Sequence, residues 1–234
     1  MYSWIKKNIG EVYYILPYLG AVKNKFELIS AIVFQKKQLK LELTNGVTTA
    51  FRREQFTTLI ALLGVVNFAT SCDKKSNCTI ELSFDMKNKF VINLDKMSTE
   101  DEKLLLLLYE GTLFGASFIA SSDDKFRVGG KTIKISEFNG KKIIEVENGL
   151  KFYLDSITPG IIVEAFIQKI HNVNPSEDLN GKTVVDVGAE CGDTAIYYAS
   201  KGANVFSFEP VRAHYDAMVR NISLNSELSK KSHQ

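Results

Sequence analysis

The run TVVDVGAECGDTAIYYASKGANVFSFEP, Thr183 to Pro210, constrains the fold of this chain more than any other stretch. "TVVDVG" is a continuous apolar run with one acid near its carboxyl end, the pattern of a strand in a parallel sheet. Gly188 permits a sharp turn, Asp193 or Thr194 is placed to cap the helix "TAIYYASK", and Gly202 ends that helix. "NVFSFEP" follows as a second strand that finishes on Glu209. A strand, turn, helix and strand in this order set a ligand at the carboxyl ends of the strands. The expected fold class is α/β.

The turn gathers acids: Asp186, Glu190 and Asp193, with Glu209 at the end of the next strand. Glu209 lies 21 residues after Gly188, near the spacing at which a carboxylate accepts hydrogen bonds from a ribose diol. A dinucleotide turn reads G-x-G-x-x-G, and its second glycine lets backbone amides approach the pyrophosphate. Glu190 occupies that position here. A carboxylate there repels phosphate by about 1 to 4 kcal/mol per charge pair at 4 Å, depending on screening. No G-K-[ST] follows, so the phosphate loop of nucleotide hydrolases is absent as well. A nucleoside without phosphate that carries positive charge suits the acids, and S-adenosylmethionine has a sulfonium, an ammonium and a ribose diol.

"VVDVGAECGDTAIYYASKGANVFSFEPV", with "NISLN" at Asn221 to Asn225, resembles the FkbM-type methyltransferases, a branch of the Rossmann-like S-adenosylmethionine-dependent enzymes. That family's turn reads D-x-G-A-N-x-G-D and its second strand ends F-E-P. Asp186, Gly188, Ala189, Gly192, Asp193, Glu209 and Pro210 match this pattern, whereas Glu190 replaces the usual Asn and loses a donor. Upstream, "ITPGIIVEAFIQKI" is similar to the helix before the motif, where an acid corresponds to Glu164. The resemblance spans about residues 141–225 and leaves 1–125 unexplained. It implies a class I methyltransferase fold in which Asp186 orients the methionine end of the cofactor. The Gly188-Ala189-Glu190 backbone would face the cofactor, and Glu209 would hold the ribose hydroxyls. The implied reaction is methyl transfer to an oxygen of a sugar or small molecule, and no catalytic residue is named by the match.

Each of these residues also has a plainer reading. Asp186 can simply receive turn amides, Asp193 can serve only as a helix cap, and Glu190 and Glu164 can be solvated surface charges. Cys191 reads as packing, having no basic neighbour in sequence to activate it. Tyr197, Tyr198 and Tyr215 read as core or rim.

Three regions are expected: an α+β region over 1–125, a β-meander over 126–157 and the methyltransferase module over 158–234. In the first, "KKQLKLELTNG" predicts a strand turning at Asn45-Gly46, "REQFTTLIALLGVV" a helix, and "CTIELSFDMKNKFVINLD" a hairpin. The meander turns at Gly129-Gly130, Asn139-Gly140 and Asn148-Gly149. "TPG" at Thr158 opens a helix with Thr158 as cap and Ile162, Ala165, Phe166 and Ile170 on one face. "RAHYDAMVRNISLN" predicts another with Tyr215, Met218, Val219 and Ile222 inward. The tail "SELSKKSHQ" reads as polar and strandless. Only the first two parallel strands of the fold are therefore expected, with an open edge and an uncovered face. The chain reads as the N-terminal half of the domain, whether by truncation, by a shifted frame or because a second chain completes it. The competing reading is a non-catalytic remnant, a nucleoside-binding module that lacks the acceptor site.

Twenty-nine basic and 27 acidic residues leave a net charge of +2 with no basic stripe, so no nucleic-acid partner is expected. Lys6, Lys7, Glu11 and Pro17 interrupt any export signal. The apolar stretch Leu104 to Ala120 contains Glu110 and follows a cap at Ser98 or Thr99, which reads as a buried helix rather than a membrane span. The expected address is the cytoplasm, without a membrane partner. Three cysteines and three histidines lack metal-ligand spacing, so no metal site is expected.

Overall fold

The computed structural model describes residues 10–84, 89–113, 125–128, 131–146, 149–168, 177–226 and 232–233; of these, 125–128, 131 and 232–233 are described as backbone. They form two compact units, 10–113 and 125–233. The architecture is mixed α/β with several antiparallel sheets and one parallel sheet.

The first unit runs α1 (Lys25–Val33), β1 (Gln38–Glu42), β2 (Thr48–Arg52), α2 (Phe56–Phe68), β3 (Ser71–Lys74), β4 (Thr79–Ser83), β5 (Lys89–Asn93) and α3 (Thr99–Leu113). β1 and β2 form the hairpin expected at Asn45-Gly46, with Gly46 in the left-handed region at φ +79°. β4 and β5 pair antiparallel as expected, and β3, not foreseen, adds to β4. α3 starts on a reciprocal cap: Asp101 N–H donates to Ser98 Oγ, and Ser98 N–H donates to Asp101 Oδ2. Leu104, Leu105, Leu107 and Leu108 are buried, so the leucine run is core. Residues 114–120 of that stretch lie outside the described residues, among which no helix is long and apolar enough to cross a membrane. The close approach between α2 and α3 is at Gly64, where a Cβ would fall 2.4 Å from the Tyr109 ring.

The second unit begins with the meander β6 (Lys125–Val128), β7 (Lys131–Phe138), β8 (Lys141–Glu145) and β9 (Lys151–Tyr153), paired in that order. Asn139 and Gly140 take φ of +52° and +73°, the mirror-image turn that matches strand twist. Residues 129, 130 and 148 of the other two expected turns lie outside the described residues. α4 (Pro159–Ile162) continues as a π-helical turn over Val163–Gln168. The extra residue per turn buries Val163 along with the expected Ile162, Ala165 and Phe166, while Ile170 lies outside the described residues. Phe166 stacks against Phe152 of the meander (ring centroids 5.4 Å) and against Tyr197 (6.1 Å).

There follow β10 (Thr183–Val187), α5 (Asp193–Ser200), β11 (Asn204–Phe208), α6 (Arg212–Leu224) and β12 (Ser232–His233). β10, β11 and β12 are parallel neighbours in sequence order. The polar tail is therefore not strandless: Ser232 and His233 pair with Val205 and Phe206, giving a third, two-residue parallel strand. Backbone pairing alone makes this strand, and no apolar pattern announces it. α5 closes with Ala203 N–H on Tyr198 O and Gly202 N–H on Ala199 O, and Gly202 supplies the required positive φ of +100°. Ala195, Ala199, Ala203, Val205 and Leu179 form the core between α5 and the sheet, joined by Val184 and Tyr198. Small alanines let the helix lie close to the strands. On the other face Val185, Val187, Phe206 and Phe208 are all exposed, Val187 by 81%.

Of α6, Met218 and Ile222 are buried as expected, and Tyr215 and Val219 are half-buried. Asn221 and Asn225 are buried on the same side, which the apolar periodicity did not reveal.

Candidate functional site

The parallel register sets Asp186 beside Ser207 and Val187 beside Phe208, so both strands end level. The chain leaves β10 through a tight coil in which Gly188 (φ +81°), Glu190 (φ +43°) and Gly192 (φ +81°) are left-handed. That coil folds back over the end of β11. Gly188 and Ala189 N–H groups donate to Phe208 O at 2.8 and 3.2 Å. Glu190 N–H donates to Glu209 Oε2 at 2.9 Å, and Gly192 N–H to Ala189 O at 2.7 Å. At the start of α5 the Asp193 carboxylate accepts from the Thr194 hydroxyl at 3.4 Å and from the Cys191 thiol at 3.7 Å. The amides of Gly188, Ala189, Glu190 and Gly192 therefore point at protein oxygens, whereas a phosphate-binding turn points them at the ligand.

Glu209 is the anchor. Its Oε1 accepts from Val211 N–H at 2.8 Å, its side chain is 5% exposed, and His214 Nδ1 stands 3.9 Å away. The Val211 amide, then the Glu190 amide and His214, hold its carboxyl below the usual glutamate value. Pro210 follows, exposed, and turns the chain toward α6.

Glu190 accepts a hydrogen bond from the Thr158 hydroxyl. It is therefore half-buried and engaged rather than a solvated loop charge. Thr158 was expected to cap α4; it sits at the cap position but makes no side-chain cap, because its hydroxyl is turned to Glu190. A left-handed backbone costs a residue with a Cβ about 1–2 kcal/mol, and Asn tolerates it better. This gives a physical reason for Asn at this place in the resembled family.

Asp193 is not the cap residue of α5; Gly192 occupies that position. Asp193 is the first helical residue, an acid in the first turn of α5. It is 2% exposed, and burial pushes its pKa from an ordinary 3.8 up to about 7, with the nearby Asp186 charge adding to the shift. Asp186, half-buried on β10, also raises Tyr198 after burial has done so. Cys191 is buried, and that burial lifts its thiol to about 12, which fits packing rather than reactivity.

The two glycines of the turn differ. A Cβ on Gly192 would meet Met218 Cγ at 2.9 Å and Met218 Cα at 3.4 Å, so α6 presses on the turn there. A Cβ on Gly188 would meet nothing within 4 Å. Gly192→Ala is expected to cost about 2–4 kcal/mol in urea unfolding, from left-handed strain plus overpacking. Gly188→Ala should cost only the strain, about 1–2 kcal/mol. Equal costs would contradict this placement of α6.

Asp186, Gly188, Ala189, Glu190, Gly192, Asp193 and Glu209 thus converge on one turn. Glu164 does not join them; it is exposed on the π-helical turn. Among the described residues no group of three His, Cys, Asp or Glu side chains could hold a metal ion. Sequence reasoning missed Thr158 as the partner of Glu190, His214 beside Glu209, and Asn221, whose amide donates to Cys191 O at 2.9 Å. No family profile, curated protein or solved structure matches this chain.

Proposed function

We propose that the turn between β10 and α5 binds S-adenosylmethionine and that the chain acts in methyl transfer of the FkbM type, to an oxygen of a sugar or other small molecule. The observation that carries this reading is the direction of the turn's amides. With the N–H groups of Gly188, Ala189, Glu190 and Gly192 accepted by protein oxygens, these four amides are not turned toward an anion. What remains are carboxylates, which favour a cation.

The residues fit such a ligand. A carboxylate has about four acceptor positions, and the amides of Glu190 and Val211 take two on Glu209, leaving two for ribose hydroxyls. The open space over Gly188 admits a close approach that a side chain would block. Asp186, near enough to raise the Asp193 pKa, and the ionised Glu209 supply the negative field for an ammonium or sulfonium. When bound, the cofactor supplies a methyl group on a cationic sulfur. The chain's part is to hold and align, and alignment alone accounts for much of such catalysis.

Calorimetric titration tests this reading with S-adenosylmethionine, S-adenosylhomocysteine, ADP and NAD at low and high salt. The two adenosyl ligands should bind, the cationic one losing more affinity as salt rises, and ADP and NAD should not. Binding of ADP or NAD at equal strength, or of none of the four, would overturn the proposal. Adenosyl-ligand binding with no methyl transfer to any hydroxyl acceptor would favour the nucleoside-binding module instead.

A further inference from the structure

The asparagine pair of "NISLN" has a geometry that neither the apolar periodicity nor the turn explains. Asn221 lies on α6 and Asn225 is its C-cap, four residues on, so they share a face at a spacing of about 6 Å. Alternate residues of a strand present their backbone groups to one side at about 6.6–6.8 Å. The two spacings match, and α6 uses the match. Asn221 Oδ1 accepts from Tyr153 N–H at 3.0 Å, and Asn225 Oδ1 accepts from Lys151 N–H at 2.9 Å. Asn225 Nδ2 donates back to Lys151 O at 2.7 Å. β9 is the edge of its sheet, and the two side chains stand where a fifth strand would pair.

The two asparagines part company at their amides. Asn225 Nδ2 goes to β9 and to Asn221 O, whereas Asn221 Nδ2 crosses to the glycine turn and donates to Cys191 O at 2.9 Å. The Cys191–Gly192 peptide is thereby held at both ends, its carbonyl by Asn221 and its N–H by Ala189 O. Three residues before Asn221 on the helix, Met218 packs against Gly192. Asn221 is fully buried, so each of its contacts is made away from water.

We propose that Asn221 is a positioning residue for the turn, clamping its exit to the edge of the meander, whereas Asn225 only completes the sheet edge. Its consequence for cofactor affinity rests on the function proposed above; its consequence for the turn does not. Without Asn221 the Cys191 carbonyl is buried unpaired, the turn loosens, and the Glu190 amide no longer meets Glu209 in one fixed geometry.

The test compares Asn221→Ala and Asn221→Asp with Asn225→Ala in the full chain, by residue-resolved amide hydrogen exchange and by titration with S-adenosylhomocysteine. The Arg220–Asp155 contact, Nη2 to Oδ1 at 3.0 Å, still joins α6 to the meander in all three variants. Asn221→Ala should lower protection of the Glu190 and Gly192 amides about tenfold or more and expose Tyr153 N–H as well. Asn221→Asp keeps an acceptor for Tyr153 N–H but has no donor for Cys191 O, so only the turn should lose protection. Asn225→Ala should expose Lys151 N–H and leave the turn and the ligand affinity at wild-type values. If Asn221→Asp fails to fold, the contrast between the two alanine variants decides. Turn protection that stays at the wild-type level in Asn221→Ala, or falls equally in Asn225→Ala, overturns the assignment. A wild-type chain that does not bind S-adenosylhomocysteine removes the proposed function, while the exchange pattern still judges Asn221.

Discussion

Glu209→Ala is expected to weaken S-adenosylhomocysteine binding by about 100-fold or more, while Glu209→Gln loses substantially less. The carboxylate joins both sides of the site: one oxygen accepts from Glu190 in the turn, the other from Val211 beyond the strand. Each hydrogen bond to a charged acceptor accounts for about 10- to 100-fold. Alanine removes both and every acceptor left for the ligand. Glutamine keeps one oxygen, with two of the four acceptor positions, and gives up the charge. Calorimetry on the two variants separates these outcomes. Equal affinity of Glu209→Ala and wild type would show that the ligand does not sit at this strand end.

The second large effect is on stability as a function of pH. Asp193 has a folded pKa of about 7 against an ordinary 3.8, so between these values the folded chain holds a proton that the unfolded chain has released. Where the folded state binds more protons, stability falls as pH rises. The Asp193 contribution is therefore most favourable below about pH 4, declines through pH 4 to 7 and levels off above. The total amounts to about 4 kcal/mol. Glu209 and Asp155 behave oppositely, since both are held below their ordinary values and lose stabilisation only on acidification. The wild-type minus Asp193→Asn difference in urea unfolding isolates the Asp193 share. That difference should slope over pH 4 to 7 and be flat above; a difference that does not change with pH would contradict a buried, proton-holding Asp193. A bound cation over the turn would favour the ionised form, so ligand should reduce the slope.

The elements that could be read from the sequence are those whose signals are local. Asn139-Gly140 fixes its own turn through backbone freedom, Ser98 and Asp101 cap a helix three residues apart, and Gly202 ends one. The strand–turn–helix–strand was legible for the same reason, and with it the convergence of Asp186, Glu190, Asp193 and Glu209. Most of the misses concern partners distant in sequence. Thr158 stands 32 residues from Glu190, so a residue that reads as a cap spends its hydroxyl elsewhere. Asn221 and Asn225 are 68 and 74 residues from the strand they complete, and a poor helix former inside the helix, Asn221, was the local sign of the pair. The uncovered face expected of so few parallel strands is present, with Val185 and Val187 exposed on it, because hydrophobicity records what a strand can bury and not what covers it. Ser232–His233 carries no strand signal at all, and its pairing comes from β11.

The central claim is that this acid-lined turn, the amides of Gly188, Ala189, Glu190 and Gly192 taken by protein oxygens, takes a cationic nucleoside free of phosphate. A crystal structure of the chain grown with S-adenosylmethionine tests it most directly. The account predicts ribose hydroxyls within hydrogen-bonding distance of Glu209 and the sulfonium end above Gly188. A ligand bound elsewhere, or Glu209 remaining closed on Glu190 and Val211 with no sugar beside it, would contradict the claim.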